Sequence, residues 1–248
     1  MKPRVLFTLA LACAVVFLCT QPAGAILYGT NQDGEEGIPW NEGVNDWKAE
    51  GVEMEVENDH LFLTGDGRVI AMFDGGDSPA KMKDYETEVY VRKLTGNYLA
   101  IHARVNEPAV DFYLIEISFG SNTISTHTAQ GGGFNEITPG GNAGRPKRPE
   151  SKDQDKDGNV AYKLKFAIEG ETLKYWVDDK LMIATADATW KQGPPGLGAQ
   201  GSKNEYYWAR VDTIPEGELG IVSTRKQLSV DSKDKLAVKW GQLKRGIK

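Results

Sequence analysis

The chain has 248 residues, of which 40% are hydrophobic and 26% are charged, and its formal net charge at pH 7 is −6. This length is enough for one domain with its own core, and the scattered acidic residues argue against a nucleic-acid partner. Both cysteines, Cys13 and Cys19, lie near the beginning of the sequence, so the rest of the chain depends on its core rather than on disulfides.

The first 25 residues have the pattern of a secretory signal peptide. Lys2 and Arg4 precede an apolar run at 5–18, and Ala-Gly-Ala follows at 23–25. The run is too short for a comfortable membrane span, and no later stretch approaches that length. We therefore expect cleavage near Ala25, a secreted or periplasmic location, and no membrane span in the mature chain. Loss of Lys2 and Arg4 changes the formal charge from −6 to −8.

Strand signals follow a Gly- and acid-rich lead-in at 26–44 and continue through 45–248, which we predict as one sandwich domain. The segments VEMEV, HLFLT and RVIAMF are separated by the turn-forming sequences Asn-Asp and Gly-Asp-Gly. Three strands are predicted between Tyr85 and Ile117, where alternating side chains put one face in the core and the other in water. NTISTHT has the composition of a further strand.

A polar segment rich in glycine and proline interrupts the strand pattern at 130–159, where a long loop is expected. Strands resume as VAYKLKFAI, TLKYWVDD and KLMIATA. A second loop, KQGPPGLGAQGSKNE, precedes the strand segments YYWARVDTI and ELGIVS. The tail KLAVKWGQLK fits either a strand or a helical turn, and we prefer the strand. Many short strands joined by Gly/Pro turns predict an all-β fold, an antiparallel two-sheet β-sandwich.

Five stretches resemble, in this order, the laminin-G-like, concanavalin A-like β-sandwich domains of exported bacterial proteins. They are NDWKAEGVEMEVENDHLFLTG, DYETEVYVRKLTGNYLAIHARV, DFYLIEISFGSNTISTHT, DGNVAYKLKFAIEGETLKYWVDDKLM and GELGIVS. Together they extend from about Asn45 to Ser223, which is most of the mature chain. The resemblance implies a jelly-roll sandwich of the concanavalin A-like type over 45–248.

The resemblance extends to the 3-keto-disaccharide hydrolase family, whose corresponding strands carry an arginine and a glutamate. Arg104 and Glu116 occupy those positions. For an enzyme of this kind, the resemblance implies that Glu116 serves as acid/base and that Arg104 polarises or positions the sugar. The Gly-Glu-Trp-Asn stretch of that family is absent, and so is the Glu-x-Asp-x-x-Glu signature of family-16 glucanases.

Charged and aromatic side chains on the expected wet faces of these strands are candidates for binding a sugar. Planar charged groups hydrogen-bond pairs of hydroxyls, and an aromatic ring packs under the apolar face of a sugar ring. The alternative is an ordinary solvated sheet face with cross-strand ion pairs. The candidate ligand-binding residues are Glu88, Tyr90, Arg92, His102, Arg104, Glu116 and Trp176.

Three aspartates are candidates for binding calcium. Asp153, Asp155 and Asp157, followed by Gly158, spell Asp-x-Asp-x-Asp-Gly, the opening of a calcium loop. The twelfth position, where an EF-hand needs a glutamate, is Leu164 in a predicted strand. The alternatives are a looser calcium loop and a solvated acidic turn. Calcium is the one cofactor that the sequence suggests.

The leading hypothesis from the sequence is a carbohydrate- or matrix-binding module outside the cytoplasm, without catalysis of its own. Its partner would be a carbohydrate or a cell-surface or matrix glycan. The mixed charged and aromatic strand faces and the absent catalytic signatures favour this hypothesis. A glycoside hydrolase resembling the 3-keto-disaccharide hydrolases and a purely structural surface module are the alternatives.

Overall fold

The computed structural model describes residues 25–75, 79–106 and 110–213. These residues form fourteen strands, two four-residue helices and two 3₁₀ turns. The strands are β1 Ile26–Gly29, β2 Trp47–Glu50, β3 Glu53–Glu57, β4 His60–Phe73, β5 Tyr85–Gly96, β6 Tyr98–Asn106, β7 Asp111–Ser118, β8 Thr123–Gln130, β9 Gly133–Glu136, β10 Asp153–Gln154, β11 Val160–Glu169, β12 Thr172–Val177, β13 Lys180–Ala186 and β14 Gly196–Thr213. The helices are α1 Trp40–Gly43 and α2 Gly141–Gly144, and the 3₁₀ turns are Val44–Asp46 and Pro79–Lys81.

The strand ladders are antiparallel and join in the order β13-β12-β11-β5-β14-β6-β7-β8-β9. Strand β4 pairs with β14, β2 and β3, while β1 pairs with β14 and β10 with β11. The sheet curls into two facing layers. We call β6–β9 with the start of β14 the β7 layer, and β5, β11–β13 with the end of β14 the β11 layer. The predicted antiparallel β-sandwich is confirmed.

Strand β14 belongs to both layers. Its residues 196–198 pair with β6, whereas residues 202–213 pair with β5. Gly201, with φ of 51°, lies at the register shift between Gln200 and Ser202, where the strand passes from one layer to the other. Glycine tolerates this left-handed conformation without steric cost, and such irregularities bend a strand.

Side chains on the inner faces of the two layers form the main core. Val89, Leu164 and Tyr175 from the β11 layer and Ile101 and Ile115 from the β7 layer belong to one cluster, each at most 1% exposed. Burying a large apolar side chain contributes about 1.5–3 kcal/mol. The alternation predicted for β5 is confirmed, because every second residue from 85 to 91 is buried and the intervening ones are partly exposed.

The outer face of the β7 layer is also buried, so the wet face predicted for β6 and β7 is wrong. Phe112 and Leu114 of β7 belong to a second apolar cluster on this face, and His102 and Glu116 are only 2% and 6% exposed. Strand β7 is apolar on both faces, and a strand of this composition is buried on both sides. Alternation alone therefore does not identify its exposed face.

Strand β6 changes its register at Arg104. Its pairing with β7 shifts between Ala103 and Asn106, and Arg104 has φ of 48°. Simple alternation predicts Val105 on the inner face with Ala103, but Val105 belongs to the second, outer cluster. A bulge of this kind adds one residue to a strand and reverses the facing of those that follow.

Several predicted segments have different bounds in the structure. HLFLT and RVIAMF form the single strand β4, and β14 begins inside the second predicted loop. The predicted loop at 130–159 contains β9, α2 and β10, and the predicted lead-in at 26–44 contributes β1 and α1. The predicted signal peptide up to residue 24 and the strands predicted at ELGIVS and KLAVKWGQLK lie outside the described residues. In the described ranges, no helix is long and apolar enough to cross a membrane.

Candidate functional site

Four of the seven predicted ligand-binding residues lie on the outer face of the β11 layer. Glu88, Tyr90 and Arg92 project from β5, and Trp176 projects from β12. Lys165 of β11 pairs with both Glu88 and Trp176, so these three residues form one cross-strand row. The Lys165 ammonium nitrogen lies 4.9 Å from the centre of the Trp176 ring.

The other three predicted residues lie elsewhere. His102 and Glu116 belong to the outer face of the β7 layer, on the other side of the sandwich. Arg104 lies at the bulge of β6 and is 1% exposed. The structure therefore divides the seven residues between the outer faces of the two layers and the bulge of β6.

A cavity of about 280 Å³ lies on the outer face of the β11 layer. Five parts of the chain form its walls: the turn at 31–35, strand β5, residues 152–153 at the start of β10, strand β11 and the turn between β12 and β13. Its lining residues are Gln32, Tyr90, Lys152, Asp153, Ala161, Lys163, Asp178 and Asp179.

A smaller cavity of about 140 Å³ adjoins the first, since Gln32 and Lys163 line both. We call the two cavities together the groove. Six carboxylates and three cationic side chains line it, so the groove is acidic. The residues of the smaller cavity are Asn31, Gln32, Asp33, Glu35, Glu88, Lys163, Trp208 and Arg210.

The turn at 31–35 supplies one wall of the groove. Asn31 Oδ1 accepts hydrogen bonds from the backbone N–H groups of Asp33 and Glu35 at 3.1 and 2.9 Å, and Asn31 Nδ2 donates to Glu35 Oε2 at 3.0 Å. This is an Asx-type turn, in which the side chain replaces a backbone acceptor. The sequence shows a Gly- and acid-rich lead-in here but no sign that it lies over the sheet.

Lys163 stands where the two cavities meet. Its ammonium nitrogen is 2.6 Å from Asp179 Oδ1 and 3.8 Å from Glu88 Oε1. Burial by itself lowers the pKa of this group, but the hydrogen bond to Asp179 and the charges of Glu88, Asp179 and Asp33 raise the pKa overall. Lys163 is thus a fixed cation among carboxylates.

A β-bulge gives β14 two consecutive aromatic residues beside the groove. The pairing of β14 with β5 shifts between Tyr206 and Trp208. Tyr206 is fully buried in the core, while Trp208 lines the smaller cavity. The Tyr207 ring lies 5.4 Å from the Tyr90 ring and 4.3 Å from the His60 ring. Bulges re-aim side chains in this way, and alternation in the sequence YYWARV does not reveal one.

Tyr90 and Arg92 both bind Asp153. The Tyr90 hydroxyl donates to Asp153, and Arg92 Nη2 lies 3.2 Å from Asp153 Oδ1. The guanidinium of Arg92 also lies over the Tyr207 ring, 5.1 Å from its centre. Burial and then the bond to Asp153 raise the pKa of the Tyr90 hydroxyl, so this hydroxyl remains a donor at neutral pH.

Two of the three aspartates predicted as calcium ligands, Asp153 and Asp155, have protein partners, and both lie within 4 Å of the Arg92 guanidinium. Asp153 is held by β5 as described. Asp155 Oδ1 accepts the backbone N–H groups of Asp157 and Asn159, each at 2.9 Å, and Asp155 Oδ2 accepts Asn159 Nδ2 at 3.0 Å. The bond from the Asn159 side chain is the main reason that the pKa of Asp155 is lowered. Across residues 25–75, 79–106 and 110–213, no three His, Cys, Asp or Glu side chains are arranged to hold a metal ion.

The hydrogen bonds of Arg104 are made within the fold. Its Nη2 donates to the Lys83 carbonyl at 2.8 Å, its Nη1 donates to the Trp190 carbonyl at 2.6 Å, and its backbone N–H donates to the Tyr85 hydroxyl oxygen at 2.6 Å. The side chain therefore connects the bulge of β6 to the segments that precede β5 and β14.

Glu116 belongs to a buried polar cluster on the outer face of the β7 layer. The Ser125 hydroxyl donates to Glu116 Oε1 at 3.2 Å, and His127 Nε2 lies 3.0 Å from the Ser125 oxygen. Since the Ser125 hydroxyl donates to Glu116, it accepts from His127 rather than giving it a proton. This arrangement differs from that of a histidine-activated serine nucleophile. His102 lies on the same face, edge-on to Phe112 at 4.9 Å.

No protein-family model matches the chain, and no curated protein matches it. Solved structures are similar to it in three dimensions. The carbohydrate-binding module CBM66 from Bacillus subtilis has a TM-score of 0.54 and 18% identity, over 65% of this chain and 91% of that one. A Bacillus subtilis protein of unknown function with a galectin-like fold has a TM-score of 0.52 and 12% identity, over 70% and 91%.

The exoplasmic/lumenal domain of VIP36, in its Ca²⁺- and Man-bound form, has a TM-score of 0.51 and 14% identity, over 86% of this chain and 98% of that one. The chain has a galectin-like β-sandwich fold. At these identities the similarity establishes the architecture, which is of the concanavalin A-like class. The roles of individual residues in this galectin-like sandwich have to be argued from its own groove.

One ion pair at the edge of the galectin-like sandwich gives a pH-dependent prediction. Arg145 Nε and Nη2 lie 2.7 and 3.0 Å from the two carboxylate oxygens of Glu136, and the bond to Arg145 lowers the pKa of Glu136. A lowered pKa stabilises the fold above the ordinary value of about 4.3, and this contribution disappears as the pH falls through the folded-state pKa.

The variant Glu136→Gln is therefore expected to lose less stability than the parent between about pH 5 and pH 3, by about 1 kcal/mol at most for a pair near the surface. Urea unfolding at several pH values measures this difference. Glu171→Gln is the control, because its pair with Lys191 is exposed on both sides. Equal acid sensitivity in the parent and Glu136→Gln would contradict the assignment.

Proposed function

We propose that the chain is a carbohydrate-binding module that acts outside the cytoplasm after removal of its signal peptide and has no catalysis of its own. Its ligand is a cell-surface or matrix glycan that lies in the groove. The observation that carries the proposal is the pair of adjoining polar cavities with Tyr90 in the lining and the Tyr207 ring 5.4 Å from the Tyr90 ring.

The chemistry of the groove suits a sugar. The Tyr90 hydroxyl donates its proton to Asp153 and so supplies an acceptor oxygen, Gln32 supplies an amide, and Lys163 supplies an ammonium group, so donors and acceptors of several kinds line one cavity. Ligand sites commonly combine aromatic side chains with a few placed polar groups. A ring of Tyr90 or Tyr207 packs against the apolar face of a sugar, while the polar groups engage its hydroxyls.

The fold neighbours support the proposal by analogy. CBM66 is a carbohydrate-binding module, and the VIP36 domain is in a Ca²⁺- and Man-bound form. One fold hosts many functions, so the fold supports carbohydrate binding by analogy, and the residues of the groove carry the proposal.

Replacing Tyr90 by alanine is expected to weaken glycan binding by about tenfold or more, equivalent to a loss of roughly 1.4 kcal/mol. A glycan array selects the ligand, and calorimetric titration of the parent and Tyr90→Ala measures the loss. Trp176→Ala, titrated with longer glycans, tests whether the ligand extends along the row through Lys165. The control is Phe134→Ala, which removes an exposed aromatic ring from the other layer. Equal affinity of Tyr90→Ala and the parent would remove the groove from consideration.

Assays on the same purified protein also distinguish the two alternative functions. A 3-keto-disaccharide hydrolase would need Arg104 and Glu116 at one sugar, and the burial of Arg104 at the bulge of β6 does not favour this. Turnover of oxidised or unoxidised disaccharides by the purified chain would contradict the proposed absence of catalysis. If the chain neither binds a glycan nor turns over a disaccharide, the results would support a structural module.

A further inference from the structure

The smaller cavity of the groove has three carboxylates in its lining, those of Asp33, Glu35 and Glu88. The two cationic side chains in the lining, Lys163 and Arg210, make their shortest ion-pair contacts with carboxylates outside this cavity. Lys163 makes its short contact, 2.6 Å, with Asp179, and Arg210 makes its nearer contact, 3.4 Å, with Asp212; neither aspartate lines this cavity.

The carboxylates of the cavity have only long contacts with these cations. Glu88 Oε1 is 3.8 Å from the ammonium nitrogen of Lys163, and Glu35 Oε2 is 3.8 Å from Arg210 Nη1. Glu35 also accepts a hydrogen bond from the amide of Asn31. Because the attraction between charges falls with distance, the cavity keeps negative charge that a bound cation would meet at shorter range.

A second observation at the same cavity is independent of these charges. Trp208 lines it and is 4% exposed, and its indole Nε1 is buried without a hydrogen-bond partner among the described residues. An indole N–H only donates, and leaving a buried donor without an acceptor costs about 1–3 kcal/mol. The cavity lining thus includes a residue whose buried donor lacks an acceptor, beside Glu35 and Glu88, whose contacts with cations are both 3.8 Å long.

We propose that the smaller cavity binds the protonated amino group of an amino sugar within the glycan. The ammonium group is placed against Glu88 and the carboxylates of the 31–35 turn, and a neighbouring hydroxyl oxygen of the same sugar accepts the Trp208 N–H. An amino sugar is the carbohydrate unit that has a cation and hydroxyl oxygens on one ring. The inference rests on the proposed function, since it names the class of sugar that the groove selects.

The test uses three oligosaccharides of equal length and linkage, whose units are glucosamine, N-acetylglucosamine or glucose. Calorimetric titration of the full chain is done at a pH of about 6, below the pKa of an ordinary amine. We expect the glucosamine oligosaccharide to bind about tenfold more tightly than the other two, a difference of roughly 1.4 kcal/mol. Equal affinity for all three would overturn the inference.

Two variants and one matched control locate the effect. Glu88→Gln is expected to abolish most of the preference for the amine, while Trp208→Phe, which keeps a ring but removes the N–H, weakens all three ligands. Glu86→Gln removes the same charge from the same strand, but Glu86 pairs with Lys165 outside both cavities. Loss of the preference in Glu86→Gln as well would show a general attraction to an acidic protein and overturn the inference.

The failure of this inference can be told from the failure of the proposed function. If the three oligosaccharides bind equally and Tyr90→Ala weakens all of them, the groove binds glycans without selecting the amine. If none binds, or if Tyr90→Ala has no effect, both proposals are overturned. Thermal unfolding of each variant verifies that a loss of binding does not arise from a loss of the fold.

Discussion

Replacement of Arg104 by methionine is expected to lower the free energy of unfolding by about 3–5 kcal/mol. The substitution removes the charged donor of the carbonyl groups of Lys83 and Trp190 and the ion pair with Asp84, and a hydrogen bond that involves a charged group contributes about 1.5–3 kcal/mol. Methionine fills a similar volume, so the loss reports the hydrogen bonds rather than a cavity. Urea or guanidinium unfolding of the parent and variant measures the effect.

A lysine at position 104 provides a graded comparison. Lys keeps the charge but not the planar fork that reaches two carbonyls at once, so Arg104→Lys is expected to lie between methionine and the parent. The surface control is Arg210→Met, whose contacts with Glu35 and Asp212 are partly exposed, and which is expected to cost less than about 1 kcal/mol. A cost below 1 kcal/mol for Arg104→Met would mean that the bulge of β6 does not depend on this guanidinium.

Truncation of Trp40 to alanine is expected to destabilise the fold by a similar amount, about 3–5 kcal/mol. Trp40 is fully buried, stacks on Tyr28 with ring centres 5.4 Å apart, and donates its indole N–H to the Tyr207 carbonyl at 3.0 Å. That carbonyl belongs to the bulge that brings Tyr207 and Trp208 beside the groove. The residue thus supports both the core and the back of the proposed site.

Phenylalanine at position 40 separates these two roles. Trp40→Phe keeps much of the stacking on Tyr28 but leaves the Tyr207 carbonyl without its donor, so we expect a loss of about 1–3 kcal/mol. Trp176→Ala is the control, because Trp176 is partly exposed on the outer face of its strand. If Trp40→Ala unfolded at the same denaturant concentration as the parent, the contacts of Trp40 with Tyr28 and Tyr207 would not be needed for stability.

Part of the site follows from the sequence alone. Strand β5 alternates cleanly because its inner residues face the core and its outer residues face water, and Glu88 and Tyr90 do line the groove as a consequence. The hairpin of β3 and β4 was predictable as well, since the turn Asn58-Asp59 uses residues that tolerate positive φ, here 52° and 60°.

The rest of the site depends on tertiary geometry that no alternation encodes. The bulge at Tyr207 and the bulge at Arg104 each reverse the facing of the residues that follow, and a register shift has no signature in the polarity of the sequence. Gln32 reaches the groove because an Asx turn folds the lead-in over the sheet. Lys163 was predictable as a strand residue but not as the group shared by two cavities.

The pairing of β1 with β14 has a consequence for the order in which the molecule folds. Ile26 of β1 pairs with Val211 of β14. The first and last described strands, which are separated by almost the whole described sequence, must therefore come together. Contacts between residues far apart in the sequence slow folding, because a long loop must be closed before they form. The hairpins of β5 to β8 are local and are expected to form early. The groove takes Gln32 from one end of the domain and Trp208 from the other, so it is completed only when those ends have met.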